Sequence, residues 1–172
     1  MGFKVRDDIE SLFFMMCVLI LKKREGNMTK RIFLSILLSV ICLGLTFAQA
    51  DRIAGEYQCV HDGVDSRIRI FRYEDGYRAQ CTWVSNLRME DGTLRRDFRN
   101  PDPAKRNVTN DKVVIIDKVK YDGKGTWKDG KIYDPTRGRY FTVALSFKDE
   151  KTLAVRGSVA FIGKTVYWKK LK

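Results

Sequence analysis

Arg139-Tyr-Phe-Thr-Val-Ala-Leu-Ser-Phe-Lys148, followed a few residues later by Thr152-Leu-Ala-Val-Arg-Gly-Ser-Val-Ala160, is the stretch on which the fold turns. In the first segment Phe141, Val143, Leu145 and Phe147 alternate with Thr142, Ala144 and Ser146. In the second, Leu153, Val155, Gly157 and Val159 fall on one side, with Ala154, Arg156 and Ser158 on the other. A period of two is the signature of a strand with one face against a core, because successive side chains in extended chain point to opposite faces. The Lys-Asp-Glu-Lys between the two segments is a turn, so they form an antiparallel hairpin.

Working outward, the same pattern recurs from residue 51 to the end. Ile53–Val60, Arg67–Tyr73, Tyr77–Val84, Lys112–Tyr121, Gly125–Trp127, Lys131–Tyr133 and Lys164–Leu171 are rich in Val, Ile, Thr, Tyr, Phe and Trp. They are punctuated by Glu-Asp-Gly, Asp-Gly-Lys-Gly, Lys-Asp-Gly and Asp-Pro-Thr-Arg-Gly. Tyr77, Ala79, Cys81 and Trp83 form one inward set, while Arg67 and Arg69 alternate with Ile68 and Ile70 and face solvent. There is no long amphipathic helix. The expected class is all-β: an antiparallel meander of about eight or nine strands that protects its edges by closing into a small barrel, with a two-sheet sandwich as the alternative. Bulky inward residues in so short a domain predict a mostly filled interior and a shallow site at one mouth. The longest connection, 85–110, is rich in Arg, Asp and Asn, and long loops in compact domains are where function concentrates.

Of 172 residues, 33 are Lys or Arg and 21 are Asp or Glu, a formal charge of +12. Residues before Asp51 hold 7 basic and 4 acidic side chains, leaving 26 and 17 for the strand-rich part. The composition excludes disordered, collagen-like and disulfide-dense classes. From Met28, a basic start (Lys30, Arg31), an apolar run from Ile32 to Phe47 and Ala48-Gln49-Ala50 are the three parts of a secretory signal peptide. Residues 28–50 are therefore expected to be that signal and 51–172 a single barrel domain, exported to the periplasm or beyond. Neither apolar run reaches the roughly 18 to 20 residues of a membrane span. The upstream run Ser11–Leu21 has no role in such a signal, so residues 1–27 are expected to be an over-extended start.

Three segments together resemble a bacterial family: Asn100-Pro-Asp-Pro103; Trp127-Lys-Asp-Gly-Lys-Ile-Tyr-Asp-Pro135 with Gly138 and Tyr140; and Leu153-Ala-Val-Arg-Gly157 leading through Gly163-Lys-Thr165 to Trp168. Their order and spacing are similar to exported proteins grouped as the domain-of-unknown-function 2147 family. The resemblance implies a small lipocalin-like (calycin-type) barrel and export, and it lends no catalytic residues. Gly55-Glu56-Tyr57 stands where such barrels often begin with Gly-x-Trp, so the usual Trp is replaced.

Candidate ligand-binding residues are Asn100, Asp102, Tyr133, Asp134, Arg156 and Trp168. Each also has a purely structural reading: Asp102 before Pro103 caps a single turn, Asp134-Pro135 opens a hairpin turn, and Arg156 is an outer-face charge or stacks on Trp168. Arg95, Arg96 and Arg99 around Phe98, with Lys105 and Arg106, form a basic surface. In an exported protein it would meet an anionic envelope component rather than nucleic acid. His61 is the sole histidine, which excludes His-rich metal sites; no metal, cofactor or catalytic constellation is expected, nor an enzyme. Cys59 and Cys81 both face inward. In a meander their strands are first and third, about 10 Å apart, beyond the reach of a disulfide unless a bulge closes the gap; a bond and two buried thiols both remain open at this point. The expected function is binding of a small amphiphilic or anionic ligand at a barrel mouth formed by the 85–110 connection, with a packed, ligand-free envelope interaction protein that uses its basic surface as the alternative.

Overall fold

The computed structural model describes residues 30, 32, 34–37 and 49–171 of the chain. It divides into two compact units, 1–45 and 46–172. In the first, the described residues are helical and exposed; no described helix is long and apolar enough to cross a membrane. The expectations for residues 1–27 and for most of 28–50 fall outside the described residues.

The second unit is a closed barrel of eight antiparallel strands in sequence order. They are β1 (Gly55–His61), β2 (Val64–Tyr73), β3 (Gly76–Val84), β4 (Val114–Tyr121), β5 (Thr126–Asp134), β6 (Arg139–Phe147), β7 (Thr152–Val159) and β8 (Ile162–Lys170). Closure joins β1 to β8 through Tyr57↔Lys170 and Gln58↔Lys169, extended by Leu171 N–H donating to Glu56 O at 2.7 Å. This removes the sandwich alternative and the free edges with it. The strand count is eight because Gly125–Trp127 and Lys131–Tyr133 belong to one strand. The intervening Lys-Asp-Gly is a bulge rather than a turn: the β5–β6 register shifts between Trp127 and Gly130, and Asp129 takes φ 63°.

One end is shut by the chain entering β1. Ile53 is fully buried, Tyr57 Oη donates to Ile53 O at 2.7 Å, Tyr77 Oη to Asp51 Oδ1 at 2.5 Å, and Trp127 Nε1 to Ala50 O at 3.1 Å. Tyr57 thus does the work of the missing Trp: it is buried, and its ring lies 6.4 Å from that of Trp168. Tyr77, Trp127, Leu145 and Leu153 fill this half of the interior. Ala50 packs on the same core.

Candidate functional site

The opposite half is hollow. Its inward positions hold small or slender side chains: Cys59 on β1, Ser66 and Ile68 on β2, Cys81 on β3, Val155 and Gly157 on β7. They enclose a cavity of about 860 Å³ with Trp168 on its lining. The expectation of a filled interior and a shallow mouth is therefore corrected. Alternation shows which residues face inward, but volume depends on which of them meet at one level, and here a glycine, a serine and two cysteines share the upper barrel. Gly157 is the clearest instance, since a Cβ there would meet only Ile132 Cγ2 and Phe141 Cβ, at 3.6 and 3.7 Å.

The lining is apolar and the mouth is charged. The mouth is built from the β1–β2, β5–β6 and β7–β8 turns, and His61, Asn86, Asn110, Asp134, Arg137 and Lys164 stand on it. Arg137 holds two of the acids, Asp134 at 2.6 Å and Asp62 at 3.5 Å, and His61 lies 3.4 Å from Asp62. The indole N–H of Trp168 is buried without a hydrogen-bond partner, beside the Cys59 thiol.

Cys59 and Cys81 are both buried free thiols, which corrects the disulfide reading. Cys59 pairs with Ser66 and Cys81 with Ile68, so β2 stands between them, and the bulge between Arg67 and Ile68 does not bring them into a bond. Burial pushes each thiol up to about 11, leaving them protonated and weakly nucleophilic at neutral pH.

Of the six ligand-binding candidates, Asp134 and Trp168 line the cavity and Tyr133 borders it with its hydroxyl turned away to Asp97, while Asn100, Asp102 and Arg156 do not reach it. Asp102 caps the turn Pro103–Lys105 by accepting from Ala104 N–H, and Asn100 is buried in a network with Asp97 and Tyr133. Asp97 Oδ1 accepts from Tyr133 Oη at 2.7 Å, and its Oδ2 accepts from Asn100 Nδ2 at 2.6 Å. Burial, then the Asp97 carboxylate, raises the Tyr133 pKa. This network fastens the 85–110 connection to the barrel wall. Ile132 and Phe141 form an inward cross-strand pair, so the next pair, Tyr133 and Tyr140, meets the connection on the outside. Only Asn86 and Asn110, near its ends, reach the cavity mouth, so the expectation that this connection forms the mouth holds for its two ends and not for its length. Arg156 is exposed on the outer face, its guanidinium against Gly163, whereas Trp168 is inside; the two do not stack.

Arg95, Arg96, Arg99, Lys105 and Arg106 are all exposed on the 85–110 connection. Several are occupied: Arg96 donates to Asn107 O, Arg106 to Asn100 O and Lys105 lies 3.6 Å from Asp102 within the connection, while Arg99 donates to Thr136 O of the β5–β6 turn. They fasten the connection to itself and to the β5–β6 turn as well as presenting charge. Among the described residues no group of three or more His, Cys, Asp or Glu is placed to hold a metal ion.

Sequence reasoning passed over Gly157 and Ser66 as cavity formers, His61, Arg137 and Lys164 on the mouth, and the β7–β8 turn. A usable signal was present at that turn: Val159-Ala-Phe-Ile162 joins two strands without a Gly, Asn, Asp or Pro.

The fold agrees with the comparisons. A solved structure, protein HP1028 of Helicobacter pylori, described as belonging to the lipocalin family, is 27% identical, with a TM-score of 0.58 over 70% of this chain and 83% of that one. No curated protein matches. The family model of uncharacterized proteins conserved in bacteria, DUF2147, matches residues 55–170, and the chain belongs to that family.

Proposed function

We propose that this protein is an exported, non-enzymatic binding protein that carries one small amphiphile in its barrel. The observation that carries this reading is the cavity of about 860 Å³, a size within the roughly 300–1,000 Å³ of small-molecule sites. Its apolar wall suits a hydrocarbon body, its charged mouth suits a polar or anionic head, and the unpartnered Trp168 N–H offers a donor to an acceptor group that enters deeply. The lipocalin description of the Helicobacter protein points the same way. The cavity speaks against a fully packed, ligand-free barrel, which leaves the alternative of an envelope interaction protein as a use of the basic surface.

The test is titration with the fluorescent fatty acid cis-parinaric acid. Saturable uptake at one molecule per barrel is expected, weakened roughly tenfold or more by Gly157→Leu, whose side chain fills the cavity at a position where a Cβ has room. Absent uptake, or uptake indifferent to that substitution, would sink the reading. Export rests on the Met28–Ala50 signal pattern. Intact mass of protein recovered from the host's periplasm should show a chain starting within a few residues of Ala50, and one starting upstream of Met28 would remove the signal peptide.

A further inference from the structure

The β7–β8 turn breaks two local rules at once. Its side chains are apolar and bare: Phe161 is 100% exposed, Ile162 84% and Val159 58%. Its backbone is also wrong for its residues, because Ala160 sits at φ 51°, a left-handed conformation that two-residue hairpin turns normally give to Gly, Asn or Asp. Neither feature helps the barrel. Exposed apolar clusters and locally disfavoured backbone together mark a surface shaped by something other than folding.

Cations flank the tip. Arg156 on β7 faces Thr165 and Gly157 faces Lys164 across the hairpin; Arg156 and Lys164 are exposed, and neither forms an ion pair among the described residues. The nearby mouth acids, Asp62 and Asp134, are both engaged by Arg137. The tip residues Ala160, Phe161 and Ile162 also border the cavity.

We infer that the β7–β8 tip docks on an anionic phospholipid bilayer, with Phe161 and Ile162 entering the boundary between headgroups and acyl chains and Arg156 and Lys164 facing the phosphates. A convex tip of three apolar side chains is too small for a stable interface between two copies, which needs on the order of 1,200 Å². It is the right size for interfacial insertion, where a few apolar side chains act with neighbouring cations. Docking in this orientation sets the cavity mouth on the lipid surface. The inference stands without the ligand reading, since it uses the tip and not the cavity's contents.

Co-sedimentation of the full chain with vesicles of phosphatidylglycerol and phosphatidylethanolamine, compared with phosphatidylcholine alone, tests it. Binding to the anionic vesicles is expected, falling at least roughly tenfold in Phe161→Ser/Ile162→Ser and about fivefold for each of Arg156→Gln and Lys164→Gln. A tip-specific readout is Phe161→Trp, whose indole should be quenched by brominated acyl chains beyond the level seen in the unsubstituted protein. Absent binding to the anionic vesicles, binding unchanged by the double substitution, or no added quenching would each overturn the inference. So would tip-dependent self-association in sedimentation velocity without vesicle binding.

Discussion

Cys59 and Cys81 show how a single residue's setting controls its chemistry. Both were legible in the sequence as inward-facing, but their state was not, since it depends on β2 lying between them. Burial raises both thiols to about 11, against about 8.5 for an unperturbed cysteine. Because the folded-state value is raised, the folded protein holds these protons more tightly than the unfolded chain. Their contribution is fully present below about pH 8.5 and is lost as pH rises through 11. The unfolding free energy read from urea titrations should therefore fall between pH 8.5 and 11, by up to about 3 kcal/mol per thiol. Cys59→Ala/Cys81→Ala should flatten that slope, and an unchanged slope would refute the assignment. Tyr133 makes the same point about legibility: its aromatic body and strand position were readable, but not that its hydroxyl would meet Asp97, thirty-six residues earlier.

At the scale of elements, β5 is the instructive case. Lys128-Asp129-Gly130 has the composition of a turn, and a sequence window sees only that. The structure passes straight through it because Gly130 lets β4 come close: a Cβ on Gly130 would overlap Lys118 O and Val119 Cγ1. Asp129 absorbs the extra residue at φ 63°. Gly130→Ala should therefore destabilise the barrel by about 1–3 kcal/mol. Gly157→Ala, meeting ordinary contacts, should leave stability unchanged or raise it by about 0.5 kcal/mol. Thermal or urea denaturation of the two variants side by side reads the difference, and equal losses would contradict this account of the bulge. The 85–110 connection follows the same logic. Its length and its capped turn at Asp102 were visible in the sequence, whereas its seat on the outer wall was fixed by the buried Asp97–Tyr133–Asn100 contacts.

For the whole molecule, the two ends of the barrel have divided the work. Tyr57, Tyr77 and Trp127 tie the entering chain at Ala50 to Ile53 across one end, while small residues leave the other end hollow. The sequence by itself determined the all-β class, the antiparallel order, most of the turns and the inward face of most strands, because period two and turn chemistry are local properties that each segment carries alone; the exception on β3 is Trp83, expected inward but 41% exposed and over Arg67, because the β2–β3 register shifts between Arg67 and Ile68. It also carried the motifs of the family that matches residues 55–170. Only the tertiary structure decided that β1 meets β8, that the thiols stand apart, that the long connection lies outside the wall, and that a cavity remains. Each of these depends on which distant residues meet at one level of the barrel, and close packing is a property of such sets, not of any stretch of chain.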